Sequence, residues 1–313
     1  LIDCYQDDPC FPAGLNGRFH GVVINRTQGT ITLFNDRYGM HRIYYHESKE
    51  AFYFSAEAKA ILAVRPDLRK VDPRGLGEFV SCGTVLENRT VFDGIQVLPG
   101  GSAWVFQKDG IARKASYFQV QEWENQSPLS VDSYYQNLKE VFSRKLPLYF
   151  TGHERIGMSL TGGLDSRMIM AWHRSAPDSL PCYTFGGMFR DCRDVVVARQ
   201  VARETKQSHD VITVGDEFLS RFHHYAERTV FLTDGCSEVV HSPDLYAHER
   251  AREIAPVRMT GNYGGEVLRK VRMFRPVESK AGIFCQDFLA YFHRAGETYA
   301  KLQQLNPLSC AIF

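Results

Sequence analysis

The sequence lacks several features that would assign a protein to a class at once. No apolar run approaches the roughly 18 residues of a membrane-spanning helix, and the first residues do not form the basic-then-apolar pattern of a signal peptide. We therefore expect a soluble, cytoplasmic protein with no membrane partner. A net charge is lacking as well, because 37 basic and 36 acidic residues give a formal charge of +1. Such a balance disfavours a general attraction to nucleic acid.

Paired cysteines are also missing. The eight cysteines are scattered and form no CxxC pair, so they indicate neither a zinc site nor a redox dithiol, and we expect buried free thiols. The histidines between 223 and 248 are too irregularly spaced to predict a metal site. With 44% hydrophobic and 23% charged residues, the 313-residue chain has a globular composition and the length for two domains.

Short β-rich runs separated by turn residues fill the first part of the chain and predict an antiparallel meander. The predicted strands span 19–25, 30–36, 42–46, 51–55, 102–107 and 111–118. Ala56–Val64 predicts a helix, and Asp72 followed by Pro73 predicts the start of another, because aspartate caps helices and proline is tolerated at their first position. The polar segment 123–130, which contains Pro128, is interpreted as a linker.

Helices and strands alternate after residue 130. The predicted strands span 156–160, 181–186, 209–214 and 257–259, and the predicted helices span 131–150, 164–174, 194–205, 217–229 and 243–253. This alternation predicts a parallel sheet with right-handed crossovers. Ligands of such sheets lie beyond the carboxyl ends of the strands, so loops at those ends are the places to look for a site.

The first candidate site is the segment Thr161–Ser166, TGGLDS, between a predicted strand and a predicted helix. Gly162 and Gly163 lack Cβ atoms, so an anion can approach the main-chain N–H groups, and the helix N-terminus adds partial positive charge. Asp165 would repel a bare phosphate but suits one accompanied by Mg²⁺, while Thr161 and Ser166 supply hydroxyl donors. The segment therefore predicts a metal-bound pyrophosphate. An ordinary tight turn is the structural alternative.

This segment resembles the SGGxDS pyrophosphate loop, or PP-loop, of the ATP pyrophosphatases, and its surroundings resemble asparagine synthetase and its relatives. The first part of the chain resembles the later half of the class II glutamine amidotransferase domain of the same family. Three motifs carry this second resemblance: Leu15, Gly17 and Phe19 match LxGxF, Asp36–Tyr45 matches RDRxGxxPLYY, and Phe54–Leu62 matches FASExKAL. The loop has no GKS or GKT ending and so does not resemble a Walker A loop, which implies cleavage between the α and β phosphates.

The resemblance implies an α+β N-terminal part with incomplete Ntn-type antiparallel sheets, followed by an α/β parallel-sheet ATP-pyrophosphatase domain of the adenine nucleotide alpha hydrolase-like kind. We expect the amidotransferase-like part at 1–122, the linker at 123–130 and the synthetase-like domain at 131–313. A chain that begins at Leu1 and ends soon after the second candidate loop is expected to be partial, with the synthetase-like domain truncated at its C-terminus.

The second candidate loop lies within Met259–Lys270, at the place of the family's SGEGSDE motif. Asn262 and Gly265 stand where the family has acidic residues, and a mere turn is the structural alternative. The resemblance implies ATP and Mg²⁺ as cofactors, with Asp165 and Glu266 as catalytic and metal-binding residues. The implied nucleotide-binding residues are Thr161, Gly162, Gly163, Leu164, Asp165, Ser166, Thr184, Phe185, Gly186 and Gly261. Asp194 is expected first as a helix cap, although the family often carries an acidic residue there.

The function implied is that of an ATP-dependent amide-forming ligase resembling glutamine-hydrolysing asparagine synthase. A substrate carboxylate would form an acyl-adenylate with release of pyrophosphate, and ammonia or an amine would displace AMP. Glutamine is the family's amido donor, but its N-terminal cysteine nucleophile and the partners of that cysteine are absent from this chain. Two alternatives stay open: a β-lactam-forming or peptide-cyclising relative that acts on another carboxylate, and a non-catalytic nucleotide-binding homologue. Small molecules rather than nucleic acid are the expected partners, and a homodimer is compatible with this reading.

Overall fold

The computed structural model describes residues 1–108, 110–262, 264–265, 276–277, 282 and 284–303. They form two compact units. The first contains Leu1–Gln126, Asp234–Cys236 and the described residues after 271, and the second contains Ser127–Thr233 and the described residues between 237 and 271. The units are defined by contacts within the chain, so the predicted domain limits at 122 and 131 stay a prediction.

Two antiparallel sheets make up the core of the first unit. Its strands are β1 His20–Asn25, β2 Thr30–Asn35, β3 Tyr44–Glu47, β4 Phe52–Ser55, β5 Gln96–Val97, β6 Ser102–Gln107 and β7 Gly110–Ser116. One sheet has the order β1-β2-β6-β7 and the other β4-β3-β5. All six predicted strands are confirmed with small shifts at their ends. The two-residue strand β5 was not predicted, because so short a pairing leaves no period in the sequence.

Two helices of the first unit have a carboxylate at their start that accepts from free backbone N–H groups. The helices of this unit are α1 Ile2–Asp7, α2 Ala58–Val64, α3 Pro73–Cys82, α4 Val120–Glu124 and a last helix, Gln286–Gln303. The Asp72 carboxylate accepts a hydrogen bond from the Arg74 amide at 3.0 Å, which confirms the predicted start of α3. At α2, Asp234 accepts from the amides of Ala58 at 2.8 Å and Lys59 at 3.3 Å, although it is distant in sequence. The predicted linker 123–130 begins inside α4.

The last helix packs against α3. Ala295 lies in a buried cluster with Cys82 and Leu86, and Tyr291 lies so close to α3 that a Cβ on Gly77 would be 2.8 Å from the Cβ of Tyr291. Gly77 therefore permits the approach of the two helices, because any side chain there would overlap the other helix.

The second unit is built on a four-stranded parallel sheet, as predicted. Its strands are β8 Ile156–Ser159, β9 Cys182–Gly187, β10 His209–Val214 and β11 Val257–Met259, in the order β10-β9-β8-β11. The chain moves outward from β8 to β10 and then returns to the other side of β8. The sheet therefore has a topological switch point between β8 and β11, the position at which open α/β sheets bind ligands.

Helices cover both faces of this sheet. They are α5 Val131–Lys145, α6 Leu164–His173, α7 Arg193–Glu204, α8 Asp216–Ser220, α9 Phe222–Leu232 and α10 Ser242–Ile254. One buried cluster joins Met158 and Cys182 to α6 and α7, and the other joins Tyr183 to α8, α9 and α10. The predicted helix 131–150 stops at Lys145 and continues as a 3₁₀ turn that contains Pro147. The predicted helix 217–229 is two helices.

Two general properties of the chain bear on the expectations above. No helix among the described residues is both long and apolar enough to cross a membrane. The seven described cysteines are free thiols, of which Cys82 and Cys182 are buried. The expectation of buried thiols is wrong for four that are exposed, namely Cys4, Cys10, Cys192 and Cys285.

Candidate functional site

The first candidate loop lies at the switch point of the sheet. Thr161 follows the carboxyl end of β8 closely, and α6 begins at Leu164 with Gly163 at its N-cap position. The N-cap makes no side-chain hydrogen bond to the helix. The first turn of a ten-residue helix therefore meets this loop with amide groups that no cap side chain satisfies, as the predicted strand–loop–helix context requires.

Hydrogen bonds within the loop define its shape. The Ser166 hydroxyl, buried with its residue only 3% exposed, lies 3.3 Å from the Thr161 amide nitrogen and 3.2 Å from the Thr161 carbonyl oxygen. The Gly163 amide donates to the Thr161 hydroxyl at 3.2 Å. The hydroxyls of Thr161 and Ser166, predicted as donors to an anion, thus also form hydrogen bonds within the loop. Removing either hydroxyl would therefore change the backbone around the candidate anion site.

A carboxylate from the neighbouring helix contacts the same loop. Asp194 Oδ1 accepts a hydrogen bond from the Gly162 amide at 2.9 Å, and a Cβ on Gly162 would lie 2.8 Å from that oxygen. Asp194 is the second residue of α7, whose N-cap is Cys192, so the expectation that Asp194 acts first as a cap is wrong. Because Asp165 and Asp194 place two carboxylates at one loop, a bare phosphate would be repelled unless a cation accompanied it.

The second candidate loop packs directly on the first. A Cβ on Gly261 would lie 2.7 Å from the Ser166 amide nitrogen and 2.8 Å from the Asp165 carbonyl carbon. A Cβ on Gly264 would lie 2.9 Å from Cγ of the Asp165 carboxyl group. The structure therefore brings together the two loops that lie far apart in sequence, and glycine permits the contact. Glu266, predicted as a catalytic and metal-binding residue, lies outside the described residues. So do four basic residues for which the sequence leaves pyrophosphate binding and a solvated helix face as alternatives, namely Arg269, Lys270, Arg272 and Arg275.

Thr184 on β9 forms a hydrogen bond with Leu160, the residue that precedes the first loop. Its hydroxyl lies 2.6 Å from the Leu160 carbonyl oxygen and 2.9 Å from Nε2 of His209. A hydroxyl has one proton, which Leu160 accepts, so His209 must donate from Nε2. Burial lowers the pKa of His209, and Arg199 lowers it further while Asp210 opposes the shift, in agreement with a neutral ring.

The other predicted nucleotide-binding residues have different surroundings. Leu164 is exposed at the first turn of α6, and Gly186 lies against α7, where a Cβ would be 3.0 Å from Val195. Phe185 packs with the cluster on the opposite face of the sheet, and the guanidinium carbon of Arg258 lies 5.7 Å from its ring centroid. The sequence interpretation overlooked Arg258, although an arginine inside a predicted strand of a covered parallel sheet is itself a signal.

The groups at the two loops fit the pyrophosphate part of ATP. α6 begins without a side-chain cap, and the hydroxyls of Thr161 and Ser166 lie beside its first turn, whereas the amides of Gly162 and Gly163 are already bonded to Asp194 and Thr161. For magnesium, the Asp165 carboxylate is a donor of the right chemistry, whereas Gly265 is buried and offers no side chain. Within the described residues no three His, Cys, Asp or Glu side chains form a group able to hold a metal.

Comparison with known proteins agrees with this two-part architecture. Residues 9–118 match the glutamine amidotransferase domain family, and residues 138–306 match the asparagine synthase family. The antiparallel sheets lie in the first match and the parallel sheet in the second, as the predicted fold class requires.

Two curated relatives share this family. The chain is 22% identical over 190 residues to asparagine synthetase (glutamine-hydrolyzing) 1 of Bacillus subtilis (strain 168), which covers 60% of this chain and 29% of that protein. It is 29% identical over 176 residues to asparagine synthetase (glutamine-hydrolyzing) 3 of the same organism, which covers 55% of this chain and 28% of that protein. The matched part is thus less than a third of either relative. Because the asparagine synthase match covers more than half of the 313 residues, the chain belongs to the asparagine synthase family.

Proposed function

We propose that the second unit binds ATP with Mg²⁺ at the two loops and activates a substrate carboxylate as an acyl-adenylate. The observation that carries this proposal is the contact between the loops, in which Gly261 and Gly264 pack against Asp165 and the backbone that follows it. An ordinary turn after β8 would not need a second loop from β11 packed upon its acidic residue. Membership of the asparagine synthase family supports the same chemistry.

In the proposed reaction an oxygen of the substrate carboxylate attacks the α-phosphorus of ATP. The bond from that phosphorus to the bridging oxygen breaks, and pyrophosphate leaves with the electron pair. Thr161, Ser166 and the amides at the start of α6 bind the leaving group, which positions it and stabilises its developing charge. Asp165 would hold the Mg²⁺, which would neutralise phosphate charge.

Ammonia or an amine then attacks the acyl carbon and displaces AMP, so that the product is an amide. The match of residues 9–118 to the glutamine amidotransferase family supports glutamine as the nitrogen source of the intact protein. Replacing glutamine by ammonium in the amide-forming assay tests this part separately, because ammonia does not require glutamine hydrolysis.

Exchange of labelled pyrophosphate into ATP tests the activation step. We expect exchange in the presence of a suitable carboxylic acid, found by screening small acids, and a fall of about 100-fold to 1000-fold in Asp165→Asn, as for loss of one preorganised charge contact. The free energy of unfolding in urea should stay close to that of the unsubstituted protein. The matched control is Asp216→Asn, an exposed aspartate of α8.

Exchange at the full rate in a folded Asp165→Asn protein would contradict the role of this loop. A second candidate function is a nucleotide-binding protein without catalysis, which is favoured by the buried glycine at 265, since it supplies no carboxylate there. Measurable ATP binding without exchange for any acid would support this candidate. Exchange with an acid other than aspartate would instead support a relative that forms a different amide.

A further inference from the structure

Arg258 is a charged side chain placed inside the parallel sheet. It lies in the middle of β11, and its Nη2 donates to the Ser159 hydroxyl at 3.1 Å. Its Nη1 bonds with Nε2 of His248, and its guanidinium lies over the ring of Phe185. A hydroxyl, an imidazole and an aromatic ring thus surround the guanidinium, and none of the three carries a negative charge.

In the part of the chain that the structure describes, Nε of the guanidinium has no acceptor and the guanidinium has no counter-ion. Its Nε is buried and has no hydrogen-bond partner there, and Arg258 forms no ion pair with a described carboxylate. An arginine has no acceptor atom, so Nε2 of His248 accepts from Nη1 and the imidazole is neutral. A half-buried arginine with only neutral partners is unfavourable unless an anion completes its surroundings.

The position of Arg258 relates it to the candidate site. Ser159 and Arg258 precede Thr161 and Thr260, the first residues of the two loops, by two positions each, or about 7 Å along a strand. The contacts with Phe185 and His248 place the guanidinium on the sheet face covered by α10, whereas the first loop leads into α6 on the opposite face. An anion at Arg258 would therefore be separate from a pyrophosphate bound at the first loop.

We propose that Arg258 and Ser159 form an anchor for a second anionic group of the acid that the protein activates. This inference rests on the proposed function. The planar guanidinium offers paired N–H groups to a carboxylate, and the hydroxyl of Ser159 adds a further donor. His248 is exposed, so a carboxylate can reach the guanidinium on that side and replace a neutral acceptor with a charged one.

Pyrophosphate exchange with paired acids tests the anchor. Succinate and glutarate serve as probes with two carboxylates, and butyrate and valerate are the matched acids with one. In Arg258→Met we expect kcat/KM for the dicarboxylates to fall by about 10-fold to 100-fold, as for loss of a charge-assisted contact, while the KM for ATP stays unchanged. For the monocarboxylates the fall should be less than about twofold. Equal losses for both kinds of acid would overturn the proposal.

Two further variants separate recognition from folding. Arg252→Met removes an exposed arginine of α10 and should leave the preference for dicarboxylates intact. Arg258→Lys keeps the charge but loses the planar fork, so its preference should lie between those of the unsubstituted protein and Arg258→Met. If Arg258→Met does not fold, an Arg258→Lys protein with an unaltered preference would overturn the anchor.

Thermal unfolding without ATP distinguishes failure of the anchor from failure of the proposed function. Succinate at millimolar concentration should raise Tm of the unsubstituted protein and of Arg252→Met. It should leave Tm of Arg258→Met unchanged, and it should raise Tm of Arg258→Lys to a smaller degree. That pattern without any pyrophosphate exchange would support the anion site and reject the activation reaction. An equal rise in all variants would overturn the site. A rise with inorganic phosphate but not with succinate would overturn its assignment to an acid substrate.

Discussion

The two loops at the switch point contribute to the candidate site in different ways, one through polar groups and the other through glycines. The loop Thr161–Ser166 contributes atoms, since its hydroxyls and amides bond with one another and with Asp194. The loop from Thr260 to Gly265 contributes glycines without side chains: Gly261 lies against the backbone of Asp165 and Ser166, and Gly264 lies against the Asp165 carboxyl group. Its described internal contacts are few, such as the 3.0 Å bond from the Thr260 hydroxyl to Asn262 Oδ1.

The difference teaches which kind of change each loop tolerates. Removing a side chain should harm the first loop, because buried polar groups would lose their partners. Adding a side chain should harm the second, because the added atoms would meet backbone that cannot move aside. Removing a side chain from the first loop and adding one to the second therefore test whether the two loops are in contact as described.

The largest effect is expected from Gly261→Ala. Its new methyl group would lie 2.7 Å from the Ser166 amide nitrogen, so the loops must separate, and the free energy of unfolding should fall by about 2–3 kcal/mol. Unfolding in urea measures this, and pyrophosphate exchange should be lost along with the contact. The matched control is Gly187→Ala on β9, where a Cβ meets nothing within 4 Å. Equal stability of the two variants would show that the loops do not pack together.

A smaller effect is expected from Ser166→Ala, which leaves the Thr161 amide without the hydroxyl that lies 3.3 Å from it. The free energy of unfolding should fall by about 1–2 kcal/mol, because the site is buried and no water replaces the lost oxygen. Ser220→Ala is the control, since that hydroxyl is exposed and bonds within α8, to the Glu217 carbonyl oxygen. A variant at 166 no less stable than the control would contradict the internal closure of the first loop.

The smallest effect concerns the hydrogen bonds that link His209 through Thr184 to Leu160, the residue before the first loop. The pKa of His209 in the folded protein lies below its ordinary value of 6.5, chiefly through burial. The unfolded chain therefore binds the proton more readily, and the stability contributed by the neutral ring is complete above pH 6.5 and declines as the pH falls toward the lowered pKa.

Urea unfolding at several values between pH 5 and 8 measures this decline. His209→Gln should show a flatter dependence than the unsubstituted protein, because glutamine does not titrate in this range. The exposed His223→Gln is the control and should leave the slope unchanged. A slope that is the same in His209→Gln as in the control would show that this ring does not titrate with folding.

Several elements were predictable because their signals are local. Short β-rich or apolar runs predicted the strands of both units, and Asp72 before Pro73 predicted the start of α3, since a cap acts within its own turn. The glycine-rich segment after β8 predicted the strand–loop–helix context for the same reason. Asp234 at the start of α2 could not be predicted, because its carboxylate comes from a segment more than 170 residues away.

The candidate site divides in the same way. The sequence by itself determined which chemical groups the loops contain, because the residue types at Thr161–Ser166 and at Gly261 fix the hydrogen-bond donors and the positions without side chains. Only the tertiary structure decided which groups meet: Asp194 with Gly162 rather than with its own helix, Gly264 with Asp165, and Arg258 with Ser159. These contacts depend on strand order and on the return of β11 beside β8, which local patterns do not encode, because pairing between distant strands leaves no period in the sequence.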